Sequence, residues 1–441
     1  MKASSSASEV PPGSPVLGCI ADDFTGATDL ANNLVRAGMR VVLTVEVPPN
    51  DERLEADAVV VALKSRTVAA SAAVEQSLHA CRWLRKQGVR QIYFKICSTF
   101  DSTAAGNIGP VIEALMDELN CGFSIATPAF PETGRTVVHG HLFVGDTLLS
   151  DSGMRHHPLT PMTDANLVRV LQAQLSPVKG RKVGLIDYRV VAQSAELIQQ
   201  RMHELRAEGT AIAIVDALSK EDLDRLGEAL RDSLFLTASS GLGDSLPRNW
   251  GFTPSTQVRL PPARGRKAIL AGSCSVATNL QVQRFIRDGG EAYPLDPLRL
   301  AADMELEISR AMAWADACWR CEDALPLLVY STAQPEEVAA AHAQLGVARS
   351  GAIVEQAMSA LASAFVQRGV GNLVVAGGET AGICVQALEI RQMQIGPQID
   401  PGVPWCYAAS SAAAEGGLHI ALKSGNFGSP DFFNKAFAFV L

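Results

Sequence analysis

Residues 16–29 read VLGCIADDFTGATD, an apolar run that passes directly into two adjacent acids, two threonines and a glycine. A helical pattern follows. This order of strand and helix is the unit of an open α/β sheet, whose ligands bind beyond the carboxyl ends of the strands. An aspartate at this place could simply cap the helix. Two acids with two hydroxyls exceed what one cap requires, so we predict that Asp22 and Asp23 belong to a functional site.

The composition favours layered α/β domains and argues against a nucleic-acid-binding surface. With 441 residues, the chain predicts two domains of about 200 residues each. Aromatic residues make up only 6%, and there are 36 glycines, which suits many tight strand-to-helix turns. The formal charge of −8 disfavours a surface that neutralises phosphates along a polynucleotide.

The cysteines and the apolar runs indicate the cellular compartment. Nine cysteines lie mostly inside apolar runs, which is typical of free thiols in a reducing cytosol, so we predict a cytoplasmic protein. No run approaches the roughly 18 apolar residues of a membrane span. We predict a disordered leader at 1–15, because it has many serines and no apolar segment.

Short apolar runs alternate with helical patterns in both halves of the chain. We therefore predict an α/β fold with two domains, each a mainly parallel sheet flanked by helices, and an active site in the cleft between them. The predicted domains are 16–246 and 267–441, joined by a proline-rich linker at 247–266. Residues 129–161 predict a long functional loop with a hairpin. The predicted strands are 16–20, 41–45, 58–63, 91–94, 123–126, 183–186, 211–215, 234–237, 268–270, 327–330, 373–375 and 420–422, and the predicted helices include 69–87, 111–119, 338–345 and 353–367.

Two further strand ends in the first domain carry charges and hydroxyls. The first, 63–67, contains Lys64 and Arg66, and the second, 94–103, contains Lys95, Asp101 and Ser102. Cations suit a substrate carboxylate or phosphate, and aspartate suits a sugar hydroxyl. Each lysine alone could equally be a surface charge. Together with the two acids after the first strand, they predict a polar site at one sheet edge.

Three strand ends in the second domain are rich in glycine and hydroxyls. They are 270–275 (LAGSCS), 372–382 (NLVVAGGETAG) and 420–428 (IALKSGNFG). Such turns aim free backbone N–H groups at an anion. Neither a Walker A loop nor a dinucleotide fingerprint is present, and any one segment could be a plain turn. Because the three would converge on one face, we predict a nucleoside triphosphate site to which Lys423 also contributes.

Three other segments are more ambiguous. His139 and His141 would share one strand face, so a metal pair is conceivable. The sequence offers no evident third ligand, and we favour the non-metal interpretation. Arg155 with its neighbouring histidines would suit an anionic substrate, although a solvated loop is the alternative. The motif formed by Cys318 and Cys321 lacks a second pair for zinc and is interpreted as coincidence.

These motifs jointly resemble those of the four-carbon acid sugar kinase family. Within it, the chain is most similar to the branch that phosphorylates 3-oxo-tetronates. The carrying motifs span almost the whole chain: 20–29 (IADDFTGATD), 95–103 (KICSTFDST), 106–110 (GNIGP), 153–158 (GMRHHP), 272–275 (GSCS), 375–380 (VAGGET), 401–405 (PGVPW) and 423–428 (KSGNFG).

The resemblance implies a sugar-acid-binding N-terminal domain, a nucleotide-binding C-terminal domain and ATP-dependent phosphorylation of a terminal 4-hydroxyl. Asp23, or its neighbour Asp22, would orient and deprotonate that hydroxyl, and Mg²⁺ would bridge the triphosphate. The implied ATP contacts are Ser275, Gly377, Gly378, Glu379, Thr380 and Gly425. The expected substrate-binding residues are Thr25, Lys64, Arg66, Lys95, Asp101, Ser102 and Arg155.

One departure concerns the substrate carboxylate. The wider family reads Leu-Arg-Gly-Asn where this chain has Ala104 and Ala105 before Gly106. The missing arginine fits the oxo-tetronate branch and leaves Arg66, Arg135 and Arg155 as candidates for holding the carboxylate.

Three rival functions stay open at this point. One is a kinase for the reduced acids, threonate or erythronate. Another is a non-catalytic sugar-acid sensor. A nucleotide-dependent oxidoreductase is disfavoured because the dinucleotide fingerprint is missing. The expected partners are a small sugar acid and ATP, without nucleic acid or membrane, and the choice between monomer and homo-oligomer is open.

Overall fold

A computed structural model describes residues 14–49, 53–157, 159–255, 260–262, 264–320, 325–332, 340–341, 343–411, 413 and 417–439. Most of the predicted leader, parts of the predicted linker and of the predicted helix 338–345, and residues Pro158 and Cys321 lie outside these ranges.

Eighteen strands alternate with helices along the described chain, and the predicted α/β fold class is confirmed. The strands are β1 Leu17–Ala21, β2 Val41–Val45, β3 Ala58–Ala62, β4 Gln91–Lys95, β5 Ser124–Thr127, β6 Arg135–Val138, β7 His141–Val144, β8 Thr147–Leu148, β9 Lys182–Ile186, β10 Thr210–Val215, β11 Phe235–Ala238, β12 Arg266–Ala271, β13 Glu291–Pro294, β14 Leu327–Tyr330, β15 Val370–Ala376, β16 Gln392–Asp400, β17 Val403–Ala409 and β18 Gly417–Lys423.

The helices cover the faces of the sheet and also line the boundary between the two halves of the chain. They are α1 Phe24–Arg36, α2 Ala70–Gln87, α3 Ile108–Glu118, α4 Leu167–Gln174, α5 Tyr188–Val191, α6 Ala195–Ala207, α7 Lys220–Ala229, α8 Val276–Arg287, α9 Pro297–Ala302, α10 Met304–Cys318, α11 Val347–Gln367, α12 Gly378–Ala387 and α13 Phe432–Lys435. Short 3₁₀ helices cover Pro131–Thr133, Leu149–Asp151, Gly153–His156, Pro177–Lys179, Ser240–Leu242, Pro247–Trp250 and Ala436–Phe439.

Fifteen of the strands form one continuous sheet. The first half contributes eight parallel strands in the order β2-β3-β1-β4-β11-β5-β10-β9. The second half contributes the parallel order β13-β14-β12-β15-β18, followed by the antiparallel strands β17 and β16. The two halves join edge to edge where β16 pairs antiparallel with β2, with Met393 opposite Leu43.

Strand β1 lies inside the first-half sheet, which explains its sequence. It pairs with β3 on one side and β4 on the other, so that Leu17 lies beside Ala58 and Gln91. All five of its residues are buried. A parallel strand covered on both faces needs a continuous apolar run, and the change to polar residues after Ala21 marks the point where the sheet ends.

The predicted hairpin within 129–161 is confirmed as the small antiparallel sheet β6-β7-β8. The expectation that His139 and His141 share one strand face is wrong. His139 lies in the turn between β6 and β7 with φ of 49°, so it does not share a strand face with His141. The His141 Nδ1 atom instead lies 2.8 Å from the carbonyl oxygen of His139.

Among the described residues, no helix is both long and apolar enough to cross a membrane. In the same ranges, no three His, Cys, Asp or Glu side chains come together as a metal-binding group.

Candidate active site

Asp23 both caps helix α1 and faces a pocket at the carboxyl end of β1. Its Oδ1 accepts a hydrogen bond from the Gly26 backbone N–H at 2.9 Å, and its Oδ2 accepts one from Thr25 Oγ1 at 2.5 Å. The capping role and the site role considered for this residue are therefore compatible, because the cap holds the carboxylate in one orientation.

Arg66 forms ion pairs with both acids that follow β1. Its Nε and Nη2 donate to the two carboxylate oxygens of Asp22 at 2.9 and 2.7 Å, and Nη2 also donates to Asp23 Oδ1 at 2.6 Å. Burial by itself would raise the pKa of Asp23. The positive charges of Arg66 and Lys95 outweigh burial and hold that pKa below its ordinary value, so Asp23 is an ionised carboxylate at neutral pH.

A pocket collects five of the predicted residues. Its lining includes Asp23, Thr25, Arg66, Lys95 and Asp101. The Lys95 side chain is almost fully buried, and its Nζ donates to the Ile96 carbonyl at 2.9 Å. The pocket therefore presents carboxylates, cations and a hydroxyl to one small polar ligand.

The second half of the chain closes the same pocket. The loop after β18 contributes three lining residues, Ser424, Asn426 and Phe427. The pocket thus lies between the two halves, as the predicted cleft requires.

Three predicted substrate residues lie elsewhere. Ser102 lines a neighbouring cavity and accepts a hydrogen bond from Gln174 Nε2 at 2.9 Å. Arg155 is half exposed and donates to the Ser150 carbonyl at 3.1 Å. Lys64 points to the boundary between the halves. None of the three is among the residues that line the pocket.

The three glycine-rich strand ends of the second half converge, as predicted. A Cβ added at Gly272 would lie 2.3 Å from Thr380 Oγ1, and one at Gly425 would lie 2.3 Å from Ser273 Oγ. Gly377 has φ of 127° and lies against the Ser273 backbone N–H. The absence of a side chain at these glycines lets the strand ends pack against the hydroxyls of Ser273 and Thr380. We call the three converging strand ends, with their backbone and hydroxyl groups, the cradle.

Ser275 links this cradle to a helix. Its Oγ accepts from the Thr278 backbone N–H at 3.2 Å, as the cap of α8, and donates to the Gly425 carbonyl at 2.5 Å. The serine therefore fixes the loop after β18 against the start of α8.

Lys423 lies beneath the loop that follows β18. Its side chain is completely buried, and Nζ donates to the carbonyls of Ser424, Gly425 and Phe427 at 2.9–3.2 Å and to Thr278 Oγ1 at 3.0 Å. Burial lowers its pKa to about 7. In this arrangement the lysine supports the loop from below.

The start of α12 faces the carboxylate of Asp23 across the cleft. A Cβ added at Gly378 would have Asp23 Oδ2 as its nearest neighbour, at 3.7 Å. Glu379, expected to contact ATP, accepts from Thr67 Oγ1 at 3.1 Å and lies 3.3 Å from Lys64 Nζ. Lys64 Nζ also lies 3.6 Å from Glu355, so these side chains connect the two halves.

Several lining residues are not among the predicted site residues, and Asp29 and Phe427 illustrate why. Asp29 follows Thr25 by four positions and therefore lies on the same face of α1, so helical periodicity could have indicated it. Burial raises its pKa to about 7. Phe427 offered no local signal, because only the convergence of the two halves brings its loop to the pocket.

Two family models match most of the chain. A family model described as a sugar-binding N-terminal domain matches residues 17–246, and one described as a nucleotide-binding C-terminal domain matches 268–433. A 3-oxo-tetronate kinase of Pseudomonas fluorescens is 54% identical over 430 residues, covering 96% of each chain. The chain belongs to the four-carbon acid sugar kinase family. The resemblance stated from the motifs is confirmed.

Other proteins are also similar to this chain over nearly its whole length. A 3-oxo-tetronate kinase of Cupriavidus necator is 52% identical and covers 96% of each chain. A crystal structure from Salmonella typhimurium LT2 is 41% identical, with a TM-score of 0.80, and covers 95% of this chain and 98% of that one. A Haemophilus influenzae structure is 43% identical, with a TM-score of 0.72, and covers 96% of this chain and 100% of that one.

Proposed function

We propose that this kinase transfers the γ-phosphoryl group of ATP to the 4-hydroxyl of a 3-oxo-tetronate, with 16–246 holding the acid and 267–441 the nucleotide. One observation carries the proposal. The Asp23 carboxylate and the glycine turn at Gly378 face each other across the cleft, since a Cβ added at Gly378 would lie 3.7 Å from Asp23 Oδ2. Phosphoryl transfer depends mainly on positioning and charge, and this arrangement would bring a hydroxyl and a phosphate together.

The acid side of the cleft supplies the proton acceptor. Asp23 is ionised, and its Oδ2 atom faces Gly378. Among the described residues, this oxygen accepts a hydrogen bond from the Thr25 hydroxyl alone. A substrate hydroxyl hydrogen-bonded to this oxygen would be oriented for attack and would pass its proton to the carboxylate. Asp22 would have a supporting role, because both of its carboxylate oxygens accept hydrogen bonds from Arg66 and so hold the guanidinium against Asp23.

The nucleotide side fits a triphosphate through backbone and hydroxyl groups. Helix α12 begins at Gly378, so its first N–H groups are free to bind phosphate oxygens. Thr380, Ser275 and the loop around Gly425 surround the same cradle. Mg²⁺, which proteins commonly hold through one or two carboxylates and the substrate phosphates, would neutralise charge on the transferred phosphoryl group.

The choice of substrate is supported by the relatives named as 3-oxo-tetronate kinases and by the missing arginine before Gly106. A threonate or erythronate kinase would use the same cleft, and a sensor would bind the acid without releasing ADP.

ADP release separates these functions. The purified protein is mixed with ATP and Mg²⁺, and freshly prepared 3-oxo-tetronate, D-threonate or D-erythronate is added. We expect ADP release with the 3-oxo acid and a product carrying phosphate on C4 by ³¹P NMR. Acid binding without ADP release would identify a sensor, and turnover of the reduced acids alone would identify the other kinase.

A further inference from the structure

Two cations in the pocket, Arg135 and Lys95, are 8% and 3% exposed, and in the part of the chain that the structure describes neither forms an ion pair. The Nη1 atom of Arg135 donates to the Thr133 carbonyl, and its buried Nε has no hydrogen-bond partner among the described residues. Leaving a buried guanidinium unpaired is costly, so an anion that enters this pocket would satisfy it.

The other two arginines considered for the substrate carboxylate are less suitable. The Arg66 guanidinium is already bonded to Asp22 and Asp23 and lies 3.9 Å from Asp101. A second anion there would compete with the acids that the reaction uses. Arg155 is half exposed and outside the pocket lining. Arg135 combines a place in the lining with unused donors.

The second half of the chain holds the Arg135 guanidinium in place. Its central carbon lies 5.5 Å from the centroid of the Phe427 ring, within the range of a cation–π contact. Such a contact fixes the plane of the guanidinium, and a fixed plane favours two parallel hydrogen bonds to a carboxylate. Arg135 follows the 3₁₀ turn Pro131–Thr133, so each half supplies one side of the arrangement.

We propose that Arg135, held by Phe427, receives the C1 carboxylate of the substrate and makes the enzyme select an acid over a neutral four-carbon ketose. The proposal rests on the proposed function, since it concerns the same pocket. It assigns opposite ends of the substrate to different residues, with the carboxylate at Arg135 and the 4-hydroxyl at Asp23. Lys95 is the second cation near the acid.

The test uses Arg135→Gln with Arg155→Gln as the matched control, because both remove one arginine charge. Steady-state rates are measured with the 3-oxo acid and with erythrulose, the neutral ketose that carries CH₂OH in place of the carboxylate. For Arg135→Gln we expect kcat/KM for the acid to fall by at least about 30-fold and kcat/KM for erythrulose to change little. Arg155→Gln should match the wild type. Equal losses on both substrates, or a loss only in Arg155→Gln, would overturn the proposal.

Measurements of acid binding test the role of Arg135 separately from the proposed function. Calorimetry without nucleotide measures the affinity of the wild type and Arg135→Gln for D-erythronate and the 3-oxo acid. Wild-type binding and turnover with an unchanged variant would overturn the role of Arg135 alone, whereas absence of any acid binding by the wild type would overturn both.

A second variant covers the case in which Arg135→Gln does not fold. Phe427→Leu keeps an apolar side chain but removes the aromatic face, so acid binding should weaken about 3- to 30-fold with ATP affinity unchanged. Unchanged acid affinity in Phe427→Leu would contradict the role given to the ring.

Discussion

At the scale of single residues, Asp23 shows how one side chain serves the fold and the reaction together. One carboxylate oxygen caps α1 and bonds Arg66, while the other is held by Thr25 and faces the second half of the chain. Arg66 keeps it charged in a buried place. Replacement of Asp23 by asparagine separates the two roles, because asparagine caps a helix as well as aspartate does but cannot accept the proton.

We predict that Asp23→Asn lowers kcat at least about 1,000-fold, in the range attributed to general-base catalysis. ATP affinity should change little. Asp187→Asn is the matched control, since Asp187 caps α5 and pairs with Arg189 away from the site. Rates within about tenfold of the wild type, equivalent to ~1.4 kcal/mol, would show that Asp23 is not the proton acceptor.

At the scale of secondary-structure elements, the turns at the strand ends determine how the nucleotide is bound. The start of α12 needs an uncovered backbone, and the loop after β18 is shaped by a buried lysine. Each feature can be changed by a single substitution.

We predict that Gly378→Val weakens ATP binding by at least about tenfold, because a side chain there would separate phosphate from the first N–H groups of α12. The protein should still fold, since the added Cβ would meet only Asp23 Oδ2, at 3.7 Å. Gly351→Val, in the open on α11, is the control. ATP affinity can be measured by calorimetry, and equal affinities in both variants would make the turn purely structural.

Lys423 gives a pH-dependent prediction. A free lysine has a pKa of about 10.4, whereas burial lowers that of Lys423 to about 7. Between these values the unfolded chain binds more protons than the folded one, so the lysine makes unfolding free energy rise with pH.

Lys423→Met removes that slope. The free-energy difference between wild type and variant should grow by up to about 1.4 kcal/mol per pH unit from about pH 7.5 to 9, as measured by urea unfolding. Parallel pH dependences would contradict the buried neutral state of this lysine. Because the variant also leaves three loop carbonyls without their donor, it should bind ATP less tightly at every pH.

At the scale of the whole molecule, the two halves are joined by the β2–β16 pairing and by the contacts of Lys64 with Glu379 and Glu355. The side chains of these ion pairs are about one-third exposed. Such pairs contribute little to stability, about 0–1 kcal/mol. They lie beside Gly378, where small displacements would change the distance between the reacting groups.

We therefore predict that Lys64→Gln changes the unfolding free energy by less than about 1 kcal/mol and lowers kcat by about tenfold through misplacement. The exposed Lys182→Gln, at the edge strand β9, serves as the control. A large loss of stability with unchanged kcat would assign Lys64 to the fold instead of the alignment of the halves.

The sequence predicted the parts of the fold that depend on local patterns. Strands such as β1 and β3 are apolar throughout because helices cover both faces, and the polar residues after them mark the sheet edge that forms the site. The antiparallel β16–β17 hairpin was not predicted, since its role depends on pairing with β2 in the other half. Phe427 belongs to a predicted loop, but its contact with Arg135 exists only after the halves meet.

The most direct test of the central claim is the ratio of kcat/KM for the 3-oxo acid to kcat/KM for D-threonate and D-erythronate. A pocket that hydrogen-bonds a carbonyl rejects an analogue that leaves its buried partners unpaired, and such rejection can reach about 10⁴-fold. We expect a preference for the 3-oxo acid of at least about 100-fold, measured by coupled ADP release. Equal or faster turnover of D-threonate or D-erythronate would contradict the assignment.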